Sequence, residues 1–306
     1  MISVHRLVAS FLVFVMLTWT APASALPAGR GVARSGEFMA EVPGTQRSVL
    51  LYKPSRLSAD RPAPLLVLLH GSGGTGRAIL DQSRLVETAE RNGFIIAAPD
   101  GGIKLANGFV WNIPGVPAIS GRMPTAGDAD DVAFIGQSVD WLVREHCADA
   151  SRVYATGISG GGRMASWLAC VDADRFAAIA PVVGLRAGNP RFGDPAHPDP
   201  ATCHPSHPMP IIAFAGDADT TNPIAGGGAA YWQYSMRAAE ERWAELNGCR
   251  ATTPPSGPAK GVYSEGFTRC REGADVVARV TVGGRHEWVA DNNLLWAFLA
   301  AHRRKP

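Results

Sequence analysis

Apolar positions along this chain fall in short blocks separated by polar, glycine-rich segments. Pro64 to His70 reads Pro-Leu-Leu-Val-Leu-Leu-His and runs straight into glycines, the pattern of a strand buried on both faces. Phe94 to Ala98, Arg152 to Thr156, Ala177 to Val183, Ile211 to Ala215 and Val276 to Val282 repeat it, and Arg47 to Lys53 is a shorter candidate. Helical spacing marks Ala78 to Arg91, Asp131 to His146, Gly160 to Cys170, Ala229 to Leu246 and Asn292 to His302; the acidic start at Asp131 suits a helix dipole. Apolar strands alternating with helices predict an α/β fold, with a mostly parallel central sheet and helices on both faces. Sites in such sheets lie at the carboxyl ends of the strands. Two long loops stand out: Gly101 to Asp128, rich in Gly and Pro and carrying Trp111, and the Pro/His-rich Gly188 to Pro210. Loops of that length in compact domains are usually functional.

The first residues follow a different pattern. His5 and Arg6 precede an almost wholly apolar run from Leu7 to Trp19, and Ala23-Ser24-Ala25 follows with small residues. That is the layout of a signal peptide cut after Ala25, and the apolar run is shorter than the roughly 20 residues a membrane span needs. Residues 26–306 are then expected to form a single catalytic domain, secreted or periplasmic, with no membrane association after cleavage. No internal repeat or low-complexity linker divides it. Hydrophobic residues at 46% and charged residues at 18% support a filled core rather than a disordered chain. With a net charge of +2 and no basic run interleaved with aromatics, nothing points to nucleic acid. Cys147, Cys170, Cys203, Cys249 and Cys270 suit disulfides in an oxidising compartment. The odd count leaves one thiol over, and no Cys-x-x-Cys pair suggests zinc.

Gly157-Ile158-Ser159-Gly160-Gly161 lies between a predicted strand and a predicted helix, the context a nucleophile elbow requires. The reason is steric: an abrupt strand-to-helix turn presses backbone on backbone, and glycines two before and two after the serine leave room. Ser159 is thus the candidate nucleophile. A serine hydroxyl needs a base, and the base an orienting carboxylate, in the chain order Ser, Asp or Glu, His. Of the eight histidines, only His286 and His302 follow every plausible acid. His302 sits in a basic tail, whereas His286 follows a strand by the short turn Gly283-Gly284-Arg285, so His286 is the candidate base. Asp217 and Asp219 both follow Ile211 to Ala215; spacing does not separate them, and the spare one is expected to hold a turn. The backbone N–H groups of Gly160 and Ser72, the latter in His70-Gly71-Ser72-Gly73-Gly74, are the candidate oxyanion donors, with His70 structural. The run from Gly71 to Gly76 also fits a dinucleotide fingerprint, but the acidic partner about 20 residues on is not met. No metal and no organic cofactor are expected.

With these residues in place, the chain resembles the secreted feruloyl esterase and poly(3-hydroxybutyrate) depolymerase-like family of α/β-hydrolases. The matching stretches are Leu68-Leu69-His70-Gly71, Ala98-Pro99-Asp100-Gly101, Trp111-Asn112, Asp130-Asp131-Val132, Arg152 through Gly161, Arg175 through Val182, Gly216 through Pro223, and Gly283 through Trp288. They run in order over most of the chain. The resemblance implies an α/β-hydrolase fold, Ser159 as nucleophile, Asp219 rather than Asp217 as acid, and His286 as base. It also implies cysteine pairs Cys170 with Cys203 and Cys249 with Cys270. Cys147 precedes the strand leading to Ser159, so Cys147 with Cys170 is geometrically open too; the first pairing is preferred, with Cys147 free. Two departures stand out: Ala215 replaces a histidine before the acid turn, and Asn222 replaces an apolar residue.

The expected function is hydrolysis of carboxylic esters, with feruloyl or other hydroxycinnamoyl esters of plant cell-wall polysaccharide as the leading substrates. Poly(3-hydroxybutyrate) or its oligomers are the alternative; a small-molecule or oligomeric ester is the expected partner in either case. Trp111 and Trp288 are candidates for an aromatic wall against the substrate, with core packing equally open for each. A reading of another class is a secreted binding protein on a catalytically dead hydrolase fold.

Overall fold

A computed structural model describes residues 35–57, 61–145, 147–259 and 261–305. The expected signal segment, residues 1–25, lies outside them. The strands are β1 (Gly36–Glu41), β2 (Ser48–Lys53), β3 (Ala63–Leu69), β4 (Ile95–Pro99), β5 (Ile103–Lys104), β6 (Phe109–Val110), β7 (Ala148–Ile158), β8 (Ala178–Val182), β9 (Pro190–Arg191), β10 (Asp194–Pro198), β11 (Ile211–Gly216), β12 (Ala251–Ala259), β13 (Val262–Thr268) and β14 (Val276–Thr281). The helices are α1 (Gly76–Ser83), α2 (Leu85–Asn92), α3 (Asp131–Arg144), α4 (Gly160–Val171), α5 (Met236–Asn247) and α6 (Asn292–Ala300).

Ten strands form one sheet in the order β1-β2-β4-β3-β7-β8-β11-β14-β13-β12. From β4 to β14 neighbouring strands are parallel; the two strands at each edge pair antiparallel. The continuous apolar runs follow from burial on both faces. In β3, Leu65, Val67 and Leu69 enter one core with Phe134 and Val139 of α3, Met164 and Leu168 of α4, and Trp243 of α5. Leu66 and Leu68 enter a second core with Ile79 of α1, Leu85 of α2, and Leu295 and Trp296 of α6. The period-two alternation of a strand thus supplies both layers. This is the α/β-hydrolase fold with its mostly parallel sheet.

Three sequence expectations change. The helix expected over Ala78–Arg91 is two helices, because Arg84 takes a left-handed conformation (φ 54°) and turns the chain between Ser83 and Leu85. The helix expected from Ala229 begins at Met236, where Ser235 caps it by accepting a bond from Ala238 N–H. Before that cap, Trp232 and Tyr234 are anchored by their side chains, on the carbonyls of Pro223 and Gly188. The hairpin β12–β13 was not anticipated. Pro254, Pro255 and Pro258 weaken the strand pattern, and they are tolerated because β12 is the sheet edge and all three fall where its register against β13 shifts.

Two disulfides join Cys170 to Cys203 and Cys249 to Cys270, and Cys147 is free. The first ties the end of α4 to the approach to β11; the second ties the residue after the α5 cap to the segment between β13 and β14. Thiol titration of denatured, unreduced protein should therefore find one thiol per chain; three would mean that one bridge does not form.

Candidate active site

Ser159 lies between β7 and α4 with φ 55° and ψ −114°. Non-glycine residues held in such sparsely populated backbone regions carry on the order of 1–3 kcal/mol of strain. The surrounding backbone enforces the turn. A Cβ on Gly157 would come within 2.4 Å of the Leu69 carbonyl oxygen, and one on Gly161 within 2.1 Å of it, so the end of β3 lies against the turn on both sides of the serine. Ser159 N–H donates to Val182 O, and its carbonyl accepts from Arg163 N–H. The side chain is half-buried at the carboxyl edge of the sheet.

A Cβ on Gly160 would fall 2.9 Å from Ser72 N and 2.5 Å from Ser72 Oγ. The peptide units of Ser72 and Gly160 thus border one small space beside Ser159. The Ser72 loop is braced through His70, whose protonated Nδ1 donates to Gly71 O and whose Nε2 accepts from Gly101 N–H at 2.9 Å. Trp111 stacks on this imidazole with ring centroids 4.6 Å apart and donates its indole N–H to His70 O. At 4% exposure Trp111 belongs to the core. The aromatic wall expected of it is corrected on that ground: a ring stacked on His70 with its N–H engaged offers almost no surface to a ligand. Buried Asp131 extends the brace, accepting from Gly102 and Asn112 N–H and pairing with Arg47 at 2.9 Å.

On the other side, the turns after β11 and β14 are bonded to each other. Ala218 N–H donates to Gly284 O, and Gly283 N–H donates to the exposed carboxylate of Asp217 at 2.6 Å. Asp219, 4% exposed, accepts from His286 Nδ1 at 2.7 Å through one oxygen and from the N–H groups of Thr221 and Asn222 at 2.8 Å through the other. Facing a carboxylate, Nδ1 carries the ring proton, which leaves the Nε2 lone pair available as a base. The two aspartates that spacing left unseparated are separated by their partners: Asp217 holds a turn and Asp219 holds the imidazole. Asn222, noticed in the sequence only as a departure, is buried and donates to the carbonyl of Val183, a residue with positive φ next to β8. It moors the Asp219 turn to the strand beside β7. Within the trio, the structure records the Asp219–His286 bond; the bonds recorded for Ser159 are those of its backbone. Trp288 is half-buried and donates to Asn292 Oδ1.

With this geometry in view, the comparisons with known proteins are informative. The family model "Esterase PHB depolymerase" matches residues 47–201, just over half of the chain. The chain belongs to this family. Feruloyl esterase B of Piromyces equi is 29% identical over 259 residues, covering 83% of this chain and 45% of that protein. Acetylxylan esterase A of Emericella nidulans is 31% identical over 138 residues, covering 45% of this chain and 42% of that one. The chain thus spans about half the length of the curated relatives it matches. An acetyl xylan esterase from Aspergillus awamori superposes with a TM-score of 0.61 at 16% identity, covering 87% of this chain and 99% of that one. LpqC, a poly(3-hydroxybutyrate) depolymerase from Bordetella parapertussis, does so with a TM-score of 0.54 at 16% identity, covering 90% and 94%. At such identities what is shared is the fold.

His70 carries a pH dependence. Burial is the largest influence on it and pushes its pKa below the ordinary 6.5, against the opposing effects of the Gly71 bond and Asp100. The unfolded chain therefore binds the proton more readily than the native one. The stabilisation from neutral His70 is complete above pH 6.5 and is lost as the pH falls towards the folded value. His70→Gln cannot titrate, so the gap in urea midpoint between wild type and His70→Gln should narrow below pH 6.5. A gap constant from pH 7.5 to 5 would show that His70 is not held neutral by the fold.

Proposed function

We propose that this chain is a secreted serine esterase in which Ser159, His286 and Asp219 form a catalytic triad. The observation that carries the reading is the 2.7 Å bond from His286 Nδ1 to buried Asp219, on the sheet edge where the strained turn projects Ser159. His286 Nε2 takes the proton as Ser159 Oγ attacks the ester carbonyl, and Asp219 stabilises the imidazolium that forms. The developing oxyanion is held by the N–H groups of Gly160 and Ser72, each worth about 2.7–4 kcal/mol where such donors have been removed. His286 returns the proton to the departing alcohol. Water, activated by the same imidazole, then hydrolyses the acyl-enzyme.

The leading substrates are feruloyl or acetyl esters of plant polysaccharide, supported by the names of the curated relatives. Trp288, two residues beyond His286, is the remaining aromatic candidate for the substrate: its indole N–H is held by Asn292 and part of its ring packs on the second core, but it is only half-buried. Secretion is supported by the two disulfides, which persist in oxidising compartments. A poly(3-hydroxybutyrate) substrate is the second reading, supported by the description of the family.

Ser159→Ala should abolish turnover of methyl ferulate and short p-nitrophenyl esters and prevent labelling by a fluorophosphonate; wild-type turnover in that variant would refute the mechanism, and an unlabelled wild type would favour a binding protein. The two aspartates provide a sharper check. Asp219→Asn should lower kcat by about 10⁴, the loss that accompanies a misoriented imidazole. Asp217→Ala should cost about 1 kcal/mol of stability, the worth of one turn hydrogen bond, with kcat within a few-fold of wild type. Equal losses in the two variants would count against Asp219 as the acid. Release of soluble hydroxybutyrate from a polymer suspension, without release of ferulate, would move the substrate to the second reading.

A further inference from the structure

Beside the Ser72 loop lies a narrow cleft lined by Arg163, Arg186, Tyr231, Trp167, Asn189 and Ile113. Arg163 is four residues after Ser159 on α4, one helical turn along, and its Nη2 donates to Ser72 Oγ at 3.3 Å. Arg186 follows β8 and donates from Nη1 to Tyr234 O at 2.7 Å. Both residues are more than nine-tenths buried. Neither has an ion-pair partner among the described residues, and the charged or titratable neighbours that act on them are Tyr231 for Arg163, and Tyr234 and Arg163 itself for Arg186. Two like charges thus share a buried site with no carboxylate. Burial pushes the Arg163 pKa down to about 10 and the Arg186 pKa down to about 9.

Aromatic faces supply part of the compensation. The Arg186 guanidinium lies 3.1 Å from the Trp232 ring centroid and 4.4 Å from that of Tyr234, and Arg163 lies 4.5 Å from that of Tyr231. Those contacts give the N–H groups no hydrogen-bond acceptor. Buried without a hydrogen-bond partner in this cleft are the donors Arg163 Nε, Arg186 Nε and Arg186 Nη2 and one acceptor, Asn189 Oδ1. On Arg186 these two nitrogens form one edge of the planar fork, the edge that receives the two oxygens of a carboxylate side by side. A buried charge with unpaired donors is unfavourable unless an opposite charge completes it.

We infer that this cleft is an anion subsite in which Arg186 and Arg163 bind a carboxylate carried by the ester substrate itself, so that the enzyme prefers an acidic ester to its matched neutral counterpart. The inference rests on the esterase reading of Ser159 and names the substrate class of that same site. Arg163 touches Ser72, whose N–H borders the proposed oxyanion position, so the subsite adjoins the place of ester cleavage. The carboxylate belongs either to the acyl group, as in a dicarboxylic acid half-ester, or to the alcohol, as in an ester of a hydroxy acid.

Two substrate pairs separate these sources. Monomethyl glutarate against methyl valerate tests the acyl side, and acetoxyacetate against propyl acetate tests the alcohol side. In one pair the acidic ester should exceed its neutral counterpart at least tenfold in kcat/KM. Arg186→Met should remove that preference mainly through KM, and Arg163→Met should reduce it. Equal or better turnover of the neutral ester in both pairs, or an unchanged preference in Arg186→Met, would overturn the subsite. A binding measurement keeps this separate from the esterase reading. Glutarate, or acetoxyacetate for the alcohol side, should raise the melting temperature of wild type and of Ser159→Ala but not of Arg186→Met. If no ester is turned over but those shifts appear, the esterase reading fails and the anion site stands. Absence of any shift in wild type refutes the site whatever the activity.

Discussion

At the carboxyl end of β7 two backbones approach more closely than any side chain would permit. The Leu69 carbonyl occupies the space where Gly157 or Gly161 would carry a Cβ, and Ser159 between them is left with a positive φ. Much of the site follows from this contact. It brings the end of β3, and with it His70 and Ser72, against the first turn of α4. It also places the Gly160 peptide beside that of Ser72. Strain of this kind persists only where the surroundings over-determine it. Here they do so through a sheet buried on both faces, with β3 and β8 flanking β7.

The other half of the site depends on hydrogen bonds between loops. The turns after β11 and β14 hold each other through Asp217 and the Gly284 carbonyl, and this brings His286 to Asp219. Asp219 is kept in position by three donors and moored through Asn222 to Val183, at the end of the strand beside β7. Ser159 is thus set by steric exclusion and the Asp219–His286 pair by directed polar bonds. The two meet because β7, β8, β11 and β14 are parallel neighbours opening on one edge.

Charge is distributed unevenly around this edge. The Arg47–Asp131 ion pair and neutral His70 brace the loops on one side. Arg163 and Arg186 are buried with N–H groups unmatched. A fold that pairs Asp131 with Arg47 yet leaves two guanidinium groups without counter-charge places an electrostatic asymmetry beside the Ser72 loop.

Local features of the sequence marked the central strands, most helices and the candidate site. The apolar runs marked the parallel strands, because burial on both faces removes the polar alternation. The glycines around Ser159 marked the elbow, because the steric requirement lies within five consecutive residues. The order of acid and base followed from strand order. Tertiary structure decided whatever depended on distant partners. Asp217 and Asp219 are two residues apart, and only the bonds to Gly283 and His286 distinguish them. Trp111 reads the same in sequence whether it lines a cleft or stacks on His70, and its burial decided the matter. The β12–β13 hairpin was hidden by prolines that only an edge position tolerates. Arg163 and Arg186 look like ordinary surface charges in sequence, since the absence of a counter-ion is a property of the folded neighbourhood and not of the chain.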